Sequence, residues 1–233
     1  MKNSERVIYE LLLTIIAFLL AGFAGGKITL NLQLVPSSFV NHSVMFILSI
    51  VLIGSLRKYV NYKIAWPKFK KIWKPILFGF LSAVIINSLI EVIGNACGIE
   101  SEHHYVFDVM SPLQFFLFIF ILASVTEEVL FRGFLQNILK PLRAKGIKLF
   151  KRHISLPVII GAIVFSLAHL SLLASGAGAY FIFRTLTFTF VLGLIAGYYQ
   201  EKYDNNAYAI IVHMSGNLMG LIGAMIGTAN LGI

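Results

Sequence analysis

The stretch Phe115-Phe-Leu-Phe-Ile-Phe-Ile-Leu-Ala-Ser-Val-Thr-Glu127-Glu128-Val-Leu-Phe-Arg132-Gly133 is a long apolar run with two adjacent glutamates near its end and an arginine four residues after the second. An ionisable group inside a membrane span costs a few kcal/mol on insertion scales. Three of them this close together mark the stretch as both a membrane helix and a candidate for chemistry.

The rest of the chain agrees with the membrane reading. Its 233 residues are 58% hydrophobic and 12% charged, and the mean hydropathy is +0.85. Soluble domains carry about 25% charged residues. The apolar runs exceed the roughly 20 residues that a helix needs to cross a bilayer. They lack the alternation of a transmembrane barrel strand. The predicted fold is therefore all-α: a polytopic bundle of about seven, at most eight, spans. The spans are Val7–Phe23, Phe39–Leu56, Pro75–Gly94, Pro112–Leu139, Ile154–Leu173, Ala179–Tyr199 and Ala207–Ile226. The first is read as a retained helix rather than a signal peptide, because further spans follow and Glu10 interrupts its apolar start. A single structural domain is expected, with residues 1–111 lying outside a core at 112–226.

A net charge of +9 could suggest nucleic acid, but its distribution argues against that partner. Of the lysines and arginines, Arg132 and Arg184 lie within spans and Lys27 alone falls in an outer segment. All the others fall in segments on the side of the N-terminus. That asymmetry places the N-terminus in the cytoplasm. The outer loop Asn95–Ser111 agrees, with Glu100, Glu102 and Asp108 and no basic residue. The inner loop Arg57–Lys74 interleaves basic residues with Tyr59, Tyr62, Trp66, Phe69 and Trp73. This composition suits either a segment lying on the anionic inner leaflet or an ordinary aromatic belt with flanking anchors. Cys97 is the one cysteine and has no partner for an internal disulfide.

Further polar residues lie within the spans: His169 in the fifth, and His213 and Asn217 in the seventh. Residues four apart share a helix face, so His213 and Asn217 point the same way, as do Glu128 and Arg132. Glu127, one position away, is rotated by about 100° and faces another neighbour. At about 1.5 Å per residue, Glu127 lies roughly 18 Å from the inner end of its span, and His169 roughly 18 Å from Pro157 near the inner start of its own. On the same rise, His213 and Asn217 lie roughly 9 and 15 Å inside the seventh. Matching depths on three helices point to one buried polar pocket, open toward the cytosol. Phe165 is expected to pack there, and Arg184 has no evident partner.

A carboxylate beside an imidazole can position and deprotonate water for peptide hydrolysis. A second histidine and an amide can donate to a developing oxyanion. Two histidines with a carboxylate can alternatively hold zinc, the candidate ligands being Glu127, His169 and His213. The residues leave these options open. Other intramembrane hydrolase patterns are absent: there is no His-Glu-x-x-His helix, no Gly-x-Gly-Asp motif and no Gly-x-Ser loop.

Glu127-Glu128-x-x-x-Arg132, Phe165-x-x-x-His169 and His213-x-x-x-Asn217, in this order, resemble the three motifs of the CPBP family. These are the intramembrane CAAX proteases and bacteriocin-processing enzymes, also called Abi proteins. Phe190-x-x-Gly193-x-x-x-Gly197 resembles the glycine-containing helix that precedes the last motif. The resemblance covers about Pro112–Gly220 and leaves the first three spans uninformative. It implies a four-helix catalytic core in which Glu127 activates water with His169. His213 and Asn217 would form the oxyanion site, and Glu128 and Arg132 would support the motif helix. Both metal-dependent and metal-free glutamate mechanisms have been proposed for the family. The expected substrate is a membrane-associated peptide or protein, and the expected setting is a bacterial plasma membrane. A non-enzymatic immunity or scaffold protein, and a proton-coupled transporter, are the alternatives. The transporter reading expects polar residues spread through several spans, whereas the outer halves look nearly bare.

Overall fold

A computed structural model describes residues 3–30, 32–99 and 109–230. Glu100, Glu102 and Asp108 of the acidic outer loop lie outside the described residues. Seven helices among the described residues are long and apolar enough to cross a membrane. They are α1 (Asn3–Lys27), α2 (Ser38–Ser55), α3 (Phe69–Ala96), α4 (Pro112–Gln136), α5 (Leu156–Ala168, reaching membrane length with its continuation to Ser175), α6 (Ala179–Tyr203) and α7 (Ala207–Asn230). Large apolar side chains such as Phe23, Leu89, Val92 and Phe183 are exposed on their outer faces. Exposed apolar surface of this extent is stable only against lipid. The protein is an integral membrane protein with an all-α bundle.

α4 is the hub. It packs against α1, α2, α5, α6 and α7. Of its most apolar stretch 44% is buried, against 22% for each of α1, α2 and α3. Leu130, Phe131, Phe134 and Leu135 on its second half, with Ile138 just after it, form one core with Ala17 and Ala21 of α1, Met45 of α2 and Phe165 of α5. A second core joins Leu192, Ala196 and Tyr199 of α6 to Tyr208, Ala209 and Val212 of α7.

α4 is not a uniform α-helix. Ser111 caps it through a reciprocal capping box with Gln114. Phe115–Ala123 and Val129–Gln136 then wind as π-helix, and only Ser124–Glu128 between them is α-helical. Side chains follow the wider turn. Ser124 Oγ donates to the carbonyl of Ile119 at 3.5 Å, and Asn137 Nδ2 to that of Arg132 at 3.3 Å, both five residues back. Interrupted helical geometry of this kind is frequent at functional sites.

Several element boundaries differ from the sequence reading, the starts of the fifth and third spans among them. The fifth span was expected from Ile154, but residues 146–155 form a short hairpin, β1 (Gly146–Leu149) and β2 (Arg152–Ser155), paired antiparallel. The helix begins only at Leu156, because Ser155 caps it by accepting from Val158 N–H and Pro157 fits its first turn. α5 ends at Ala168 and runs on as a 3-10 helix over His169–Ser175. The third span was expected from Pro75, but α3 starts at Phe69. Pro75 sits in its second turn, where a missing N–H removes only one hydrogen bond.

The turn between α6 and α7 ties the basic end of the bundle together. Asp204 accepts from Lys63 at 2.6 Å and from Lys140 at 2.7 Å. Asn205 pairs with both backbone groups of Ala65. Asn206 N–H donates to Lys63 O at 2.9 Å, and its side-chain amide donates to the carbonyl of Glu128 at 3.1 Å. The loop after α2 is thus docked onto the same turn that touches the glutamate motif. Burial draws the Asp204 carboxyl upward, but Lys140 and Lys63 outweigh it and hold it below the usual carboxylate range.

Candidate active site

The short α-helical segment of α4 separates the two glutamates. Glu128 points into the protein and is fully buried with Arg132. Their ion pair is 2.8 Å long, and both side chains are 0% exposed. Glu127, about 100° around the helix, keeps 17% of its side chain accessible. Of the two carboxylates only Glu127 can meet a substrate or a water.

Arg132 is held on three sides. Glu128 accepts from its Nη1. Its guanidinium carbon lies 4.4 Å from the centre of the Phe165 ring, within cation–π range. Its Nη2 occupies the space beside Gly193, where an added Cβ would come within 2.9 Å of it and within 3.0 Å of Ala162 Cα. One turn on, Gly197 serves Gln136 in the same way. Gln136 Nε2 donates to the Gly197 carbonyl at 2.9 Å, and a Cβ there would lie 2.7 Å from Gln136 Oε1. The glycine pattern of α6 lets α4 and α5 approach with their polar side chains in place.

Glu128 has a second partner. His213 Nδ1 lies 2.9 Å from Glu128 Oε1, the oxygen that Arg132 also holds. A carboxylate accepts only, so Nδ1 carries the proton and Nε2 is left pointing outward. That Nε2 is 3.9 Å from Glu127 Oε2. Asn217, one turn further along α7, donates from Nδ2 to Ser124 Oγ at 3.1 Å. Ser124 lies one turn before the glutamates on α4.

His169 stands where α5 turns into 3-10 helix. Its Nδ1 is 2.9 Å from the carbonyl of Phe165. The carbonyl is again only an acceptor, so Nδ1 donates and Nε2 is free. His169 is close enough to Glu127 and to His213 to interact electrostatically with both. The Phe165 ring packs edge-on to His169 at 5.1 Å, to His213 at 5.4 Å and to Phe131 at 5.2 Å. Phe165 packs, as expected, and what it packs against is both imidazoles and the arginine.

One residue of the cluster escaped the sequence reading. His42 of α2 places Nε2 3.6 Å from Glu127 Oε1, while its Nδ1 donates to the carbonyl of Ser38 at 2.8 Å. The first three spans are therefore not silent about the site. The available signal was a histidine inside an apolar run, the same signal that identified His169 and His213. A second expectation is also corrected. Arg184 does have a partner: its Nη1 is 3.1 Å from Glu91 Oε2 of α3. The ends of α3 and α6 away from the Asp204 turn are thus less bare than expected.

No group of three or more His, Cys, Asp or Glu side chains among the described residues is spaced to hold a metal ion. The zinc set Glu127, His169 and His213 is not spaced to hold a metal ion as arranged.

A buried carboxylate–imidazole cluster inside a helical membrane bundle has the makings of an intramembrane hydrolase. Residues 109–219 match the family model of the Rce1-like type II CAAX prenyl endopeptidases. The matched stretch contains Glu127, His169, His213 and Asn217 together and leaves α1, α2 and α3 outside. The matched stretch, just under half of the chain, is similar to that endopeptidase family. No curated protein and no solved structure matches the chain significantly.

Proposed function

We propose that the protein hydrolyses a peptide bond of a membrane-associated substrate by water activated at Glu127, without a resident metal. The observation that supports this most is the convergence of Glu127, His169, His213 and Asn217 from three helices onto one cluster. Glu127 is the accessible carboxylate and takes the proton from water. His169, whose Nε2 is free, shares in that step. The hydroxide attacks the carbonyl carbon, and the proton then passes to the departing amine. Asn217 has a second amide proton beyond the one given to Ser124, available to the carbonyl oxygen as charge develops there. His213 is held by Glu128 with Nε2 toward Glu127, and it can donate to that oxygen once it has gained a proton. Glu128 and Arg132 fix His213 and the helix rather than reacting.

The site opens to the cytosol on this reading, since the basic loops put the Asp204 turn on the inner side. The substrate class taken from the family is a peptide ending in a prenylated CAAX sequence. The experiment uses purified full-length protein in lipid nanodiscs, a farnesylated CAAX peptide and water enriched in oxygen-18. Mass spectrometry should find release of the last three residues, with one heavy oxygen in the new carboxylate. An intact peptide under conditions where the protein is folded would count against the reading. Residues 1–111 then supply the remaining scaffold around a protease core at 112–226.

A further inference from the structure

Glu127 differs from Glu128 in having no guanidinium partner, since Arg132 pairs with Glu128. What surrounds its carboxylate is imidazole. His213 Nε2 stands at Oε2, 3.9 Å away, and His42 Nε2 stands at Oε1, 3.6 Å away. Both distances exceed a direct hydrogen bond, which ends near 3.2 Å. With Nδ1 carrying the proton in both rings, each Nε2 is an acceptor, and one water donating to Nε2 and to the carboxylate oxygen bridges either gap. His42 cannot turn away cheaply. Its Nδ1 is tied to the Ser38 carbonyl one helical turn back, and that bond fixes the ring plane with Nε2 toward α4. The side chain is 10% exposed and sits where α2 packs against the glutamate segment of α4.

We infer that His42, which lies outside the matched family segment, is a positioning residue that holds the Oε1 side of the Glu127 carboxylate. It rests on the hydrolase reading of Glu127, and it assigns part of the working site to the N-terminal helices. A base that must meet a water and a peptide carbonyl in one orientation loses rate when it swings free. A displacement of about 1 Å costs on the order of 100-fold. His213 constrains one oxygen only, so without His42 the carboxylate can rotate about its last bond.

Two substitutions separate this role from a structural one. Asparagine can keep the bond to Ser38 O but does not reach Glu127. The same backward bond exists in α3, where Asn87 Nδ2 donates to Ala83 O at 2.8 Å. Glutamine places its amide near the position of Nε2 and can reach Glu127. With the farnesylated CAAX peptide and full-length protein in nanodiscs, H42A and H42N should each lose about 100-fold in kcat with KM near wild type. H42Q should recover most of that loss. Equal activity of H42N and H42Q, or a loss confined to KM, would overturn the assignment.

A second measurement does not depend on cleavage. In lipid-embedded protein with 15N-labelled histidine, the His42 ring resonance, assigned by its loss in H42Q, should shift in the E127Q protein. An unmoved resonance overturns the contact whether or not a peptide is cut. A shifted resonance in a protein that leaves the peptide intact sustains the contact and makes the hydrolase reading the one that fails.

Discussion

Removing Arg132 while leaving Glu128 should be far more damaging than removing both charges. Each side chain is 0% exposed and their nitrogen–oxygen distance is 2.8 Å, so Arg132→Met leaves a carboxylate buried with only the His213 N–H to answer it. Breaking a buried pair from one side costs about 3–5 kcal/mol. Loss of the guanidinium from the Phe165 ring, 4.4 Å away, adds about 0.5–2 kcal/mol. In the double variant E128Q/R132M no charge is stranded, and the new amide oxygen can still accept from His213. Such replacements of a whole buried pair are often neutral or better, so the double variant should recover most of the loss. The coupling between the two sites should reach about 2–3 kcal/mol, at the high end for residues in contact. For a chain of this size, each kcal/mol moves the midpoint by about 2–4 °C. Calorimetry in nanodiscs at a fixed scan rate should therefore place R132M roughly 7–28 °C below wild type, with E128Q/R132M well above it. Equal melting of the single and double variants would show that Glu128 is not stranded by loss of Arg132, and the reasoning would fail.

Gly193→Ala should destabilise by about 1–3 kcal/mol, the range for overpacking, since its Cβ meets Arg132 and the Ala162 backbone. Gly22→Ala in α1, with nothing within 4 Å, should be neutral or mildly stabilising in the same melt. Asn217→Ala should lower kcat by about 100- to 1,000-fold if its amide serves the oxyanion, and steady-state kinetics on the farnesylated peptide reads this directly. The Asp204 turn makes a pH prediction. Its carboxyl is held low by Lys140 and Lys63 against the pull of burial. Its contribution is therefore fully present above the ordinary carboxylate range and fades as pH falls through the lowered value. Asp204→Asn should reduce the melting point at neutral pH and flatten its dependence on the acid side.

The sequence made the seven spans legible because each apolar run meets the length that a bilayer imposes, and Glu127, Glu128, Arg132, His169, His213 and Asn217 stood out as polar groups inside those runs. His42 carried the same signal and was passed over. Counted along α2, it lies only about 6 Å from the Ser38 end, and a residue count cannot register one helix against another. The packing of α2 on the glutamate segment of α4 decides that contact. The partner of Arg184 was hidden for the same reason, since Glu91 belongs to a different helix. The π-helical turns of α4 leave no mark in hydropathy, because apolar residues fill every face of Phe115–Ala123. The hairpin at 146–155 was submerged in a charged loop, where Ile147, Leu149 and Ile154 are too few to announce strands. Helical rotation alone put the two glutamates on different faces, and the accessible side chain of Glu127 beside the buried one of Glu128 matches that geometry.

The measurement closest to the central claim is the turnover of Glu127→Gln. The amide keeps the shape of the carboxylate but cannot take a proton from water at neutral pH. Folded E127Q protein in nanodiscs, matched to wild type in melting and in binding of the farnesylated peptide, should release no product above the uncatalysed background. Turnover comparable to wild type would contradict the account and move the base elsewhere in the cluster.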